Sequence, residues 1–297
     1  TSVKSRTALI IELLKNAVPI SANRFLVSLM SAAEFLLIPT MLVLSGLHYK
    51  ESLIIYGKLS GMVLPLITFP SIVTFSLATT LVPAISEASS LNNRRSLNYR
   101  AGKSIQLTFV LGVAFTCLYM AFPHEISSLV YKKQDVGYLL FLLSFSCTFI
   151  YLQQVLTGIL NGLGKQVLLL RNTIIGSAVR IGAVVFLTPR FGIESYILGL
   201  TASYILTDIL NLSAINRDTG LIIDIRNWIT KPAVAGLAMI LISKAVFALT
   251  GDFLSLLLPR FGTAVFTGGA AGLIILMLLK VISIDEIMGR LAIRRKR

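Results

Sequence analysis

Charge is scarce in this sequence. Asp, Glu, Lys and Arg together make up 13% of its 297 residues, about half the share of an ordinary soluble domain. That scarcity excludes a string of soluble domains. With 55% apolar residues and a mean hydropathy of +0.83, the chain carries more apolar surface than a soluble interior of this size can hide, and the bilayer is the solvent that fits. Histidine and cysteine are nearly missing, at two each. His48 and His124 fall between apolar runs, and Cys117 and Cys147 fall inside them, where they read as packing residues. No metal-ligand spacing, nucleophile with a nearby base or phosphate-binding glycine loop is present, so no catalytic residue, metal or cofactor is expected. Walker-type motifs are also missing, which excludes ATP hydrolysis by a P-loop. No signal-peptide pattern opens the chain, and Thr1 stands where an initiator Met would. The polar start running directly into an apolar segment suggests a piece of a longer protein.

What the sequence does have is eight apolar segments, roughly 8–45, 52–86, 104–122, 136–160, 166–188, 191–213, 232–250 and 261–281. A spanning helix needs about 20 such residues, and six segments fit that length. The first two are longer, and both hold prolines: Pro19 and Pro39, then Pro65, Pro70 and Pro83. Neither has a polar turn at its centre, so each is expected to be one broken or kinked helix rather than a hairpin.

The basic balance of +14 would suit nucleic acid, but the positions of the charges point to membrane topology. With the N-terminus cytoplasmic and eight crossings, the inner loops collect fifteen Lys and Arg, among them Arg94, Arg95, Lys165, Arg217 and the cluster Arg294 to Arg297. The outer loops hold five: Lys50, Lys132, Lys133, Arg190 and Arg260. This asymmetry predicts both ends inside. Residues 87–103 read as a polar, basic, amphipathic connection and 123–135 as a short helix on the outer face. Trp228, in the 214–231 connection, reads as an interfacial anchor.

Ionisable residues inside spans are costly and usually face a cavity or a partner. Arg24 and Glu34 stand ten residues apart on the first helix, about 15 Å in rise and about 80° in azimuth. They cannot pair in a straight helix but can line one wide face. Arg24, Ser28 and Ser31 form a polar stripe, and Asn23 aligns with Glu34. Arg24 is a candidate phosphate or diphosphate contact or, alternatively, half of a structural pair with another helix. Arg180, with Thr173, Gly176 and Ser177 on its side of the fifth span, is a second candidate cavity cation. Glu34 and Asp208 are candidates for ion coupling, and Asp208 is favoured as the partner of a nearby cation. Lys15, Lys58, Arg171, Lys244 and Lys280 read as snorkelling residues. Gln153, Gln154 and Asn161 read as helix–helix glue.

Several runs resemble a known family. Pro19-Ile-Ser-Ala-Asn-Arg24, with Glu34 and Pro39 after it, resembles the seventh helix of the stage V sporulation protein B family. Tyr56-Gly-Lys-Leu-Ser-Gly-Met-Val-Leu-Pro-Leu-Ile-Thr-Phe-Pro-Ser71 and Leu81-Val-Pro-Ala-Ile-Ser-Glu-Ala88 resemble its eighth. Leu160-Asn-Gly-Leu-Gly-Lys165 and Pro189-Arg-Phe-Gly-Ile193 fit as well. The family belongs to the multidrug/oligosaccharidyl-lipid/polysaccharide flippase superfamily, with two six-helix lobes plus an extra C-terminal pair. The resemblance implies an all-α integral membrane fold with a MATE-like lobe over 1–213 and an added helix pair over 214–297. A missing N-terminal lobe would complete it. It implies export of lipid-linked cell-wall or polysaccharide precursors by alternating access in the plasma membrane, among membrane lipids. In related lipid II flippases, cavity arginines are thought to bind the diphosphate, and Arg24 stands on the matching helix. A cation-coupled drug exporter and a non-transporting scaffold of cell-wall assembly remain alternatives.

Overall fold

The computed structural model describes the backbone of residues 6–251 and 256–281, and side chains from residue 17 onward. Lys15 and the 294–297 cluster therefore lie outside the described side chains. Every regular element in the described residues is helical. In order they are α1 (Arg6–Leu44), α2 (Tyr49–Lys58), a π-helical stretch (Leu59–Val63), α3 (Leu64–Thr68), α4 (Ser71–Ser90), α5 (Arg94–Ala121), α6 (Pro123–Tyr131), a 3₁₀ turn (Gln134–Val136), α7 (Gly137–Ser144) and α8 (Cys147–Gly162). After these come α9 (Gln166–Gly182), a second π stretch (Ala183–Leu187), α10 (Thr188–Phe191), α11 (Ile193–Thr219), a third π stretch (Arg226–Thr230), α12 (Lys231–Leu249) and α13 (Leu257–Leu278).

Seven of these helical runs are long and apolar enough to cross a membrane, and α7 with α8, bent by 52°, makes an eighth. No more than 44% of any of the seven spans is buried by the rest of the protein. Phe25, Leu36, Phe69, Phe266 and Leu278 stand exposed. Only hydrocarbon accommodates so much outward apolar surface. The chain is a multi-pass membrane protein.

The prolines are handled in two ways. α1 runs as one α-helix through Pro19 and Pro39, and α4 runs through Pro83. The three π stretches each end two residues before a proline: Pro65, Pro189 and Pro232. In each, the residue just ahead of the proline donates its N–H five residues back: Leu64 to Leu59, Thr188 to Ala183, Lys231 to Arg226. Proline offers no N–H, and its ring crowds the carbonyl four residues earlier. Widening the turn moves that carbonyl aside and keeps the ladder bonded. The second apolar segment is interrupted where expected, at Phe69 and Pro70.

Two sequence expectations about connections are corrected. The polar stretch 87–103 is not a long loop. α4 continues to Ser90 and α5 starts at Arg94, with Asn93 Oδ1 accepting from the Ser96 N–H at 3.0 Å. That cap lets a polar sequence extend a span past the hydrocarbon. Trp228 is buried at 6% exposure and is a packing residue rather than an interfacial anchor. The span that holds it is opened by Asp224. The Asp224 carboxylate accepts from the Asn227 backbone N–H at 3.0 Å and from the Asn227 side-chain amide, which together hold its carboxyl below the usual carboxylate range.

The chain divides into two compact units, Thr1–Ile105 with Phe149–Ile222, and Gln106–Thr148 with Ile223–Arg297. In the first, Gly158 seats against the Ala78 backbone, Gly176 against Thr207 and Ser203, and Gly199 against Ala183. Close backbone approach is the usual means of helix association in lipid, where burial of apolar surface gives no drive. Ser203 reinforces it by donating to the Gly176 carbonyl at 2.7 Å. In the second, Gly236 meets Cys117 and Gly268 meets Ser243, while the Thr116 and Thr148 hydroxyls bond at 3.1 Å. Both cysteines are free and buried, as their surroundings predict.

Candidate functional site

Helix periodicity sets the walls of a polar groove in the first unit. Asn23, Arg24 and Val27 of α1, Phe75, Ala78, Thr79 and Val82 of α4, and Gln153, Gln154, Thr157, Gly158 and Asn161 of α8 recur at three- and four-residue steps. Each set therefore presents one face. With Thr173 of α9 they line a groove of about 430 Å³. Gln154 is helix glue, as read from sequence. It accepts from the Thr74 hydroxyl at 2.7 Å and donates to the Ser71 hydroxyl at 3.1 Å. Gln153 and Asn161 line the groove instead. The Oδ1 atoms of Asn23 and Asn161 are buried without a hydrogen-bond partner. Arg24 is the one charged residue among the lining groups and is exposed. Among the described residues no carboxylate pairs with it. Ser28 and Ser31, expected on its stripe, are not part of the lining, and Ser31 donates to its own helix at Val27 O, 3.1 Å.

Glu34 does not share the groove. It is buried, and its Oε1 sits 2.5 Å from Arg180 Nε, while Tyr196 donates to Oε2 at 3.3 Å. The two residues read separately, one as an ion-coupling acid and one as a cavity cation, are thus partners joining α1 to α9. Arg180 is not free for a ligand in this arrangement. Thr173, expected beside it, lines the groove. Azimuth along a single helix could not reveal this, because the partner lies 146 residues away in sequence. Tyr204 hydrogen-bonds Arg180, and Tyr56 stands near enough to Glu34 to feel its charge.

Asp208 also departs from expectation. It is 3% exposed, and neither carboxylate oxygen has a hydrogen-bond partner. No ion pair among the described residues reaches it, so it is not the neutraliser of a neighbouring cation. Three residues on, Asn211 accepts from Asn172 Nδ2 of α9 at 2.8 Å. Toward one end of the same helices, Lys165 pairs with Asp218 at 2.8 Å and Asn98 Nδ2 donates to Thr219 O at 3.1 Å, pinning the α8–α9 turn and the start of α5 to the end of α11. Arg100, in α5, donates to Ala84 O of α4 at 3.0 Å and stands 3.7 Å from the Glu87 carboxylate.

A family model described as MatE matches residues 58–185. That stretch holds the α4 and α8 walls of the groove and Arg180, but not Arg24 or Glu34. The chain is 24% identical over 308 aligned residues to stage V sporulation protein B of Bacillus subtilis (strain 168). The alignment covers 99% of this chain and 58% of that protein, in keeping with the resemblance read from the α1 and α4 motifs. Two solved structures share the fold. A MOP superfamily transporter from Pyrococcus furiosus Vc1 (DSM3638) aligns with a TM-score of 0.56 at 18% identity. An outward-facing multidrug resistance MATE family transporter aligns with a TM-score of 0.57 at 18% identity. Each alignment covers 88% of this chain and 62% of the other. The chain therefore spans less than two thirds of the length of the proteins it matches, and its all-helical fold is of the MATE kind.

Proposed function

We propose that this chain is the cargo-gripping part of a membrane flippase that moves an anionic lipid-linked saccharide, of the cell-wall or polysaccharide class, by alternating access and without ATP hydrolysis. The observation that carries the reading is the groove. It pairs one unpaired guanidinium with amides and hydroxyls and contains no carboxylate. A guanidinium binds phosphate oxygens in bidentate fashion, and neutral amides suit sugar hydroxyls. In the P. furiosus transporter a reversed polarity of the binding pocket suggests a different function. The lone cation here is a charge preference of its own. A cation-coupled drug exporter would need an acid facing its cargo, and none lines this groove. In this reading residues 1–213 supply a transporting lobe, 214–297 an added helix pair, and a second lobe closes the cavity from outside this chain.

The test is precursor accumulation in cells lacking the gene, complemented with Arg24 variants. Arg24→Ala is expected to accumulate to normal levels in the membrane yet fail to relieve the build-up. Arg24→Lys keeps the charge and loses the planar fork, and is expected to transport about tenfold less, from about 1.5 kcal/mol for a charge-assisted hydrogen bond. Full relief of the build-up by well-expressed Arg24→Ala would remove Arg24 from the site, and if groove variants throughout behaved as wild type the scaffold alternative would be favoured over transport.

A further inference from the structure

The polar groups of the groove fall into two kinds. Thr79 donates to Ser76 O at 2.9 Å, Thr173 donates to Leu169 O at 2.9 Å, and Gln154 is held between Thr74 and Ser71. These are satisfied within the protein. Among the described residues, no side-chain hydrogen bond engages Asn23, Arg24, Gln153, Thr157 or Asn161. The free groups are not scattered. Asn23 and Arg24 are neighbours on α1. Gln153, Thr157 and Asn161 stand four residues apart on α8, one stripe along about 12 Å of helix. The stripe beside it is the one on which α8 packs: Gln154 bonds α4, Gly158 seats against the Ala78 backbone, and Gly162 seats against Val82 and Ile85. That packing fixes the rotation of α8 and leaves the second stripe facing the groove. Helix association therefore does not use it, and Leu or Ala would serve packing as well. Unbonded amides at membrane depth are costly, and the Oδ1 atoms of Asn23 and Asn161 are buried with nothing to hold them.

We infer that Gln153, Thr157 and Asn161 are the residues that read the saccharide, while Arg24 grips the charged end of the cargo. The inference rests on the flippase reading above and adds a division of labour within the groove. Arg24 only donates, and so meets an anion; an amide or a hydroxyl both donates and accepts, as a sugar hydroxyl does. An amide also turns about its last torsion at little cost, so either its oxygen or its nitrogen can be brought to the groove. The adjoining α4 wall is apolar at Phe75, Ala78 and Val82, which suits the C–H face of a sugar ring whose hydroxyl edge meets α8. The charge held by α1 is common to every lipid diphosphate. The α8 stripe is what distinguishes one head group from another.

The experiment measures binding to the full chain purified in detergent, with two probes: farnesyl diphosphate, and farnesyl diphosphate carrying the disaccharide N,N′-diacetylchitobiose, whose two rings match the length of the stripe. Wild type is expected to bind the glycosylated probe about tenfold more tightly, the effect of one or two net hydrogen bonds. Gln153→Leu and Asn161→Leu are expected to bind the bare probe as wild type does and to lose the preference. Arg24→Ala is expected to weaken both probes by the same factor. Because Leu replaces a group that had no partner, the α8 variants are also expected to melt no lower than wild type. The inference is overturned if the α8 variants weaken both probes equally or melt below wild type. It is also overturned if wild type binds both probes alike while Arg24→Ala weakens both, a result that leaves the flippase reading standing. If wild type binds neither probe, the flippase reading falls and takes the α8 assignment with it.

Discussion

At the scale of single residues, the Glu34–Arg180 pair is the sharpest object. Removing one member of a buried pair typically costs about 3–5 kcal/mol, because the other is left uncompensated. Removing both is often nearly neutral. Glu34→Gln and Arg180→Gln are each expected to lower membrane abundance and the unfolding midpoint, and the double variant to recover most of both, read by quantitative blotting and thermal denaturation. A double variant as poor as the singles would show that the charges act independently. Asp224 gives a smaller prediction at the surface. Its carboxyl is held below the usual range by the Asn227 N–H and side-chain amide, so its capping stability is complete above about pH 4 and is lost as pH falls through the depressed value. Asp224→Ala should remove under about 1 kcal/mol and abolish that acid-side loss in a pH series of melts. The types of residue that matter were legible in the sequence, since Arg24, Glu34, Arg180 and Asp208 stand out against apolar surroundings. Their partners were not, because a periodic pattern assigns a side chain to a face without saying which helix covers it.

At the scale of elements, all eight apolar segments have helical counterparts among the described residues. Their ends and connections were less legible. The basic run at 94–103 continues a helix because Asn93 caps it, and hydropathy does not register a cap. Pro65 and Pro70 were legible as trouble spots, Pro83 was read as an interruption but lies inside a continuous α4, Pro189 and Pro232 were not singled out, and the remedy was not legible. α1 absorbs two of them as α-helix, while three others are preceded by widened turns. The packing of α9 on α11 offers a direct test. A side chain at Gly176 would meet the Thr207 hydroxyl and Ser203. Gly176→Leu should force the helices apart, break the Asn172–Asn211 bond, and cost about 1–3 kcal/mol as overpacking does. Gly182, with open space around it, should accept Ala without comparable loss. Melting points of the two variants measure the difference.

At the scale of the whole molecule, the distribution of Lys and Arg predicts an orientation with both ends cytoplasmic. Single-cysteine variants in a background lacking Cys117 and Cys147 should label at Arg95→Cys only from the cytoplasm and at Lys132→Cys only from outside; the reverse pattern would invert the topology. The three widened turns have a further consequence at this scale. A π turn houses one residue more than the same length of α-helix requires, so it is a unit of slack. Passing that slack one position along a helix turns the residues it crosses by about 100° and exchanges hydrogen bonds without discarding any. Arg180 lies three residues before the slack at Ala183–Leu187. Were the slack to travel back past it, the guanidinium would swing off Glu34, and the turn ahead of Pro189 would lose the room that the widening gives its ring. The Pro189 that prevents an ordinary helix here thereby gives this span a change of phase, located beside its only buried ion pair among the described residues.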